Sequence, residues 1–317
     1  MSNEERSEIA ILSKKKYSLR EIAKALKRSP STLSDEISHN SVNGEYDPKK
    51  AAHKARVRRQ DAKFQGMKIV DDKQLRRFVD NNLYDEQSPP AISGRLKHHE
   101  KNLGYVSKTA IYDYISSIHG RKIEFFLKSV KPKRKSGPKS KGRLAGRTFI
   151  DKRPKYIQNR KRVGDAEADF IVSGRTGKGI LLVLVDRKTR AAYLERILSI
   201  TTKQVYLALK RIQRRFPELK TMTLDNDILF QKHKELERLL ELKIYFCNPY
   251  HSWQKGQVEN TNKRIRRYIP KRSNISSYSR SFIDNIEQKL NRRIMKCLKF
   301  RKPEEVLQDE RRKHKTG

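Results

Sequence analysis

The chain reads as an α/β domain, a mixed five-stranded sheet flanked by helices, preceded by all-α modules of helix-turn-helix type. Three observations predict this. Apolar residues recur at helical spacing up to about residue 120, then fall into strand-like runs past Arg162. A Lys/Arg/Gly/Pro-rich stretch separates the two regimes. Three acids, Asp169, Asp225 and Glu259, stand in or at the end of strand candidates and on a helix of the second half.

Residues 1–45 form the first module. Ile9, Ile11 and Leu12 mark an apolar face. Ser18, with Glu21 three positions on and ahead of IAKAL, is a capping-box signature for a second helix. There Ile22, Ala23 and Leu26 face inward, and Ala23 is small enough to let a neighbouring helix approach. After the break KRSPS, residues 31–38 (STLSDEIS) make a third short helix. This is helix-turn-helix geometry, in which the last helix enters a DNA major groove. Ser31, Thr32, Ser34 and Asp35 are then placed near base edges, and Lys27 and Arg28 near phosphate. A plain three-helix bundle with a polar surface is the other reading of the same residues.

Residues 46–70 are a basic helical linker, its helix at 47–65 carrying Lys49, Lys50, Lys54, Arg56, Arg58 and Arg59. Residues 71–120 repeat the earlier logic as a second helix-turn-helix module. Ser88 caps a helix with prolines in its first turn. The break KNLGYVS follows, and Ser107 caps KTAIYDYISSI, whose Ile111, Tyr114 and Ile115 share a face. Lys108 and Thr109 start that helix and are its groove-facing candidates. Residues 121–162 read as a basic linker. From Lys131 to Arg162 the only acid is Asp151, so an extended or poorly ordered segment lying along DNA is expected.

The core domain is assigned to residues 163–275. AEADFIVSG, GILLVLVDRKT and AAYLERIL are three strand candidates joined by turns, the first of which, SGRTGKG, suits a hairpin. TTKQVYLALKRIQRRF follows as an amphipathic helix with Val205, Leu209 and Ile212 on one stripe. Then come strand TMTLDN, helix FQKHKELERLLELK, strand KIYFCN and helix WQKGQVENTNKRIRRYI. Hairpin strands followed by alternating helix and strand make a mixed sheet with helices on its faces. In such a sheet the first and fourth strands can lie side by side. Residues 276–317 are left as a C-terminal helical segment.

Composition bounds the partner. Lys and Arg number 75 against 36 Asp and Glu, a formal net charge of +39. Spread over segments with apolar periodicity, that excess predicts salt-sensitive attraction to a polyanion, and nucleic acid is the partner it implies. No apolar run approaches the roughly 18 to 20 residues of a spanning helix. The N-terminal MSNEERSEIAILSKKK lacks the apolar stretch of a signal peptide. Cys247 and Cys297 are far apart, which suits a reducing compartment. Cytoplasmic residence, with no membrane partner, is the expectation. His98 and His99 are adjacent rather than spaced for joint ligation, so no zinc site is expected.

The three acids carry the chemistry. Converging carboxylates repel one another unless cations neutralise them. Two divalent ions held by oxygen ligands are what in-line phosphodiester displacement uses. Lys263 and Arg266 follow Glu259 by four and seven positions, on the same helix face, and are candidates to hold phosphates beside the scissile bond. Asn226 and Asn260 each follow an acid and could orient a carboxylate or a water; a turn or helix-surface role fits each equally. Tyr250 and His251, in the YHSW turn, are candidates to position DNA or simply to pack. No serine or tyrosine nucleophile constellation is evident.

The segment TLDND…YFCNPYHSWQKGQVENTNKRIRRYIPK resembles the signature of the IS-thirty family of bacterial insertion-sequence transposases. The 33 residues between Asp225 and Glu259, and the string Trp253, Gln254, Gly256, Glu259, Asn260, carry the resemblance. AEADFIV with LVLVDRKTR, and the tail LNRRIMKCLKFRKPEEVL, extend it over nearly the whole chain. The chain departs from the pattern at Asp227–Phe230, where a Gly and an acidic-aromatic pair are usual, and at GDAEAD, where His, Trp and Gly are usual. The resemblance implies an RNase H-like catalytic domain. On it Asp169, Asp225 and Glu259 would hold two Mg²⁺ or Mn²⁺ ions. It implies binding of double-stranded DNA, both terminal inverted repeats and target, by a homodimer or higher homo-oligomer. It implies strand cleavage and 3′-hydroxyl strand transfer without a covalent enzyme intermediate. A catalytically idle repressor derived from a transposase, and a structure-selective RNase H-like nuclease, are the alternatives.

Overall fold

A computed structural model describes residues 1–62, 67–124, 147–175, 177–225, 230, 232–248 and 252–315. The chain divides into two compact units, residues 1–68 and 69–317.

The first unit holds α1 (Asn3–Lys14), α2 (Leu19–Ala25), α3 (Pro30–Asn40) and α4 (Pro48–Ala62). Ser2 and Ser18 form capping boxes with Glu5 and Glu21, and the Ser29 hydroxyl accepts from the Thr32 amide to start α3. Ile9, Ile22, Ala23 and Leu33 form its core. Arg6, only 4% exposed, is fixed by Glu36 at 2.7 Å, which ties α1 to α3.

The helix α5 (Met67–Asp71) crosses the boundary between the units, and the second unit continues with α6 (Lys73–Tyr84), α7 (Pro89–His98) and α8 (Lys108–Ser116). Leu75, Val79, Leu83, Ile92, Ile111 and Tyr114 close that helical core. The sheet follows, with β1 (Asp165–Val172), β2 (Ile180–Asp186), β3 (Ala192–Ile197), β4 (Thr221–Leu224) and β5 (Lys243–Phe246). Its order is β3-β2-β1-β4-β5, with β1 to β3 antiparallel and β4 and β5 parallel to β1. This is the RNase H-like arrangement, with β1 in the centre. Helices α9 (Lys155–Gln158), α10 (Thr202–Arg215), α11 (His233–Leu240), α12 (Gly256–Tyr268), α13 (Arg280–Asn291) and α14 (Pro303–Lys315) complete the unit.

Alternation along β1 sends its two sets of side chains to different cores. Ala166, Ala168 and Phe170 join Val205, Leu209 and Ile212 of α10 and Leu236 of α11. Ile171 joins Val183 and Val185 of β2, Val258 and Ile265 of α12, and Ile283 and Ile286 of α13. Gly164 enters β1 at φ +99°, and an added Cβ would lie 1.8 Å from the Glu218 carbonyl oxygen, so only glycine fits there.

Two expectations are corrected. Residues 147–162 are not an extended linker. The Phe246 amide donates to the Thr148 carbonyl at 2.8 Å, Phe149 bridges to Phe246, and Ile150 and Ile157 are buried. A few apolar side chains inside a cationic run suffice to dock it on the sheet edge at β5. The part of that linker at 125–146 lies outside the described residues. Nor does the sheet's partner layer end at residue 275, because α13 supplies a buried face to the second core.

Candidate active site

The parallel pairing of β1 and β4 runs Asp165↔Thr221, Ala166↔Met222 and Glu167↔Thr223. Carried two residues further, it brings Asp169 level with Asp225 at the carboxyl end of β4. Period-two alternation puts Asp165, Glu167 and Asp169 on the β1 face opposite Ala166, Ala168 and Phe170.

One cation joins the two aspartates. The Lys255 ammonium, on a side chain 3% exposed, lies 3.2 Å from Oδ1 of Asp169 and 3.8 Å from Oδ2 of Asp225. Both carboxylates remain open to solvent, at 28% and 27%. The other oxygen of Asp169 accepts a hydrogen bond from Nδ2 of Asn262 at 2.8 Å. Lys255, Glu259 and Asn262 stand at i−4, i and i+3 around Glu259, so they share one side of the helix. That spacing is the signal by which Lys255 and Asn262 could have been found from sequence. The role expected of Asn260 in contacting a carboxylate is filled by Asn262.

Glu259 sits half-buried in the first turn of α12. Among the described residues, no three Asp, Glu, His or Cys side chains gather closely enough to form a ready-made metal cage. Asp169 and Asp225 meet through Lys255, and Glu259 stands one turn along the helix that has Lys255 at its N-cap position. Two hard carboxylates that share the Lys255 ammonium, with Asn262 orienting one of them, suit Mg²⁺ or Mn²⁺ in donor chemistry.

The first turn of α12 is tied to the sheet. Oε2 of Glu167 accepts from the amides of Gln257 and Val258, both at 3.2 Å, and Oε1 accepts from Nη1 of Arg187 at 2.5 Å. Nε2 of Gln257 donates to the Asp186 carbonyl at 2.8 Å. Asp186 is itself buried and accepts from Gly164, Lys188 and Thr189, shaping the turn that presents Arg187. Burial pushes the Arg187 guanidinium below its ordinary value despite Glu167. Behind the site Arg153 donates to the Thr223 hydroxyl at 3.1 Å, and burial with Arg187 nearby pushes its guanidinium down to about 10.

The expected phosphate ligands divide. Lys263 is exposed and, with Asn260, Arg190 and Arg264, lines a cavity of about 1110 Å³ beside α12. Arg266 instead donates to the carbonyls of Pro270 and Val172, at 3.2 and 3.3 Å, which fastens the end of the helix to β1. In the first unit Lys27, Ser31, Thr32 and Ser34 are exposed on α3 and its entry turn. Arg28 is engaged by Glu5, with Nε and Nη2 at 3.0 and 2.9 Å from Oε1. Lys108 and Thr109 are exposed at the start of α8. Asn226, Tyr250 and His251 lie outside the described residues.

A helix-turn-helix domain family model matches residues 1–40. The transposase for insertion sequence element IS4351 of Bacteroides fragilis is 33% identical over 316 residues, spanning 96% of this chain and 94% of that protein. Transposase InsI for insertion sequence element IS30A of Escherichia coli K12 is 32% identical over 318 residues, 96% and 82% of the two chains. The transposase for IS1086 of Cupriavidus metallidurans is 31% identical over 316 residues, 96% and 93%. The solved catalytic core domain of BIV integrase covers 48% of this chain and 98% of its own at 19% identity, with a TM-score of 0.37.

Proposed function

The chain belongs to the IS30 family of insertion-sequence transposases, and we propose that it moves its element with Asp169, Asp225 and Glu259 as the ligands of divalent metal ions. It is a DNA transposase with a helix-turn-helix domain at residues 1–40. The observation that carries the metal reading is that the Lys255 ammonium reaches both Asp169 and Asp225. Two carboxylates held that close without a cation would repel, and Lys255 meets that need in the protein alone.

Asp169 and Asp225 would hold the ions from the sheet and Glu259 from the helix. Bound there, divalent ions supply activation of a water or 3′-hydroxyl and stabilisation of the leaving 3′-oxygen. Asn262 keeps the Asp169 carboxylate turned toward the shared position. Once ions neutralise the carboxylates, the Lys255 ammonium would be available to a phosphate oxygen at the same place. The exposed ends of α3 and α8 are the surfaces proposed to read the terminal repeats, with at least two copies of the chain needed to bring two ends together.

The test is strand cleavage and joining on labelled DNA carrying the element's own ends, with Mg²⁺ or with EDTA. Metal-dependent nicking at the repeat boundary, followed by joined products and lost in Asp225→Asn, is the expected result. Equal end binding by both proteins with cleavage by neither would instead make the chain a DNA-binding regulator.

A further inference from the structure

We infer that Glu167 is a positioning residue for the reaction: it clamps the first turn of α12, and with it Glu259, to the strand that carries Asp169. The inference rests on the metal-binding reading above and adds to it how the third acid is placed.

Glu167 lies two residues before Asp169 on the same face of β1 and is 2% exposed. Its carboxylate does two things at once. Oε2 receives the Gln257 and Val258 amides, each at 3.2 Å, and these are among the four amides that the start of a helix leaves without an internal partner. The residue at the N-cap position, Lys255, gives no side-chain cap, so a strand residue some 90 positions away in sequence supplies one. An anion there also meets the positive end of the helix dipole. Oε1 receives Nη1 of Arg187, which is itself 5% exposed, so the buried negative charge is balanced.

The arrangement is costly for mere stability. A buried ion pair recovers its desolvation only with good geometry, and apolar replacements of similar volume are often neutral or stabilising. What such a pair can do that apolar side chains cannot is fix one helix at one height against one strand. Val258 is the residue before Glu259, and Asp169 is two residues past Glu167, so the clamp sits between the two acids it spaces. The Gln257 bond to the Asp186 carbonyl holds the same turn from β2.

Two variants separate positioning from stability. Glu167→Asp keeps the charge and the Arg187 partner but withdraws the oxygens by one methylene. The double variant Glu167→Met with Arg187→Met removes both charges at similar volume. The full-length chain without DNA is titrated with Mn²⁺ by calorimetry, and amide exchange is followed at Gln257 and Val258. Both variants are expected to lose about 10- to 100-fold in Mn²⁺ affinity, the usual loss when a group that orients a metal ligand is removed. Exchange at the two amides should quicken, while the double variant melts close to the wild type. Folded variants that keep wild-type Mn²⁺ affinity within about twofold would overturn the inference. If the wild type binds no Mn²⁺, the metal reading fails instead. The exchange arm then still decides the clamp, which is overturned if Gln257 and Val258 exchange unchanged in Glu167→Asp.

Discussion

The Lys255 ammonium lies 3.2 Å from the Asp169 carboxylate, on a side chain 3% exposed to solvent. A lysine so placed is a resident counter-charge for Asp169 and Asp225. Replacing it by methionine leaves two neighbouring carboxylates without it. Because those carboxylates are about a quarter open to water, the cost should be about 2 kcal/mol, below the 3–5 of a fully buried pair. The variant should melt lower than wild type in EDTA and recover more of its melting temperature on adding Mg²⁺. Identical melting curves in EDTA would mean that the lysine contributes no neutralisation.

Asn262 holds Asp169 from the helix at 2.8 Å. Asn262→Ala should lower single-turnover cleavage by about 10- to 100-fold while leaving end binding measured by gel shift unchanged. Parallel losses of binding and cleavage would place the residue in DNA contact instead.

Ile157 is fully buried although it sits in a run of cations. Ile157→Ala should destabilise the second unit by about 2–5 kcal/mol. Urea unfolding followed by circular dichroism checks this. A variant that unfolds at the wild-type midpoint would return residues 147–162 to the status of a linker.

Glu195 is fully buried and receives Arg280, Arg211 and Arg215 at 2.9, 2.8 and 3.0 Å. Burial works to raise its carboxyl, but the hydrogen bonds from Arg280 and Arg211 prevail and hold it below the ordinary 4.5. A carboxyl depressed in the fold contributes stability in full above its unfolded value and loses it as the pH falls through the folded one. Urea midpoints should therefore fall on acidification below about pH 4.5, and Glu195→Gln should be less stable at neutral pH with a flatter acid limb. Parallel pH curves for the two proteins would show that Glu195 contributes nothing to acid sensitivity.

Ser29 caps α3 through the Thr32 amide at 3.2 Å and also bonds the Ser31 and Thr32 hydroxyls. Ser29→Ala should cost about 1 kcal/mol of stability in the first unit and weaken binding to element ends more than to unrelated DNA. Equal weakening on both would mean that α3 meets phosphates rather than bases.

Much of this was legible because it is local or periodic. The capping pattern of Ser18 and Glu21, the change from helical to strand spacing past Arg162, and the length of β2 as an unbroken apolar run all follow from neighbours in sequence. That β1 and β4 can lie side by side was readable too, since hairpin strands followed by a helix crossover leave the outer side of β1 open to pairing. What was not legible depends on where distant side chains meet. The cationic run at 147–162 looks solvated until β5 offers an edge for Thr148 and Phe149. Glu167 looks like one more acid in GDAEAD until α12 turns its bare amides toward it.

By itself the sequence determined the cationic character that implies a nucleic-acid partner and the element order, and it nominated the three acids, because charge, apolar period and motif spacing are properties of the chain before it folds. Only the tertiary structure decided which groups meet. Lys255 and Asn262 reach Asp169, and Arg266 is spent on backbone carbonyls. The physical reason is that a carboxylate's partner is set by ångström-scale distances between elements. Those distances come from packing α12 against β1 and β2, and no pattern along the chain encodes them.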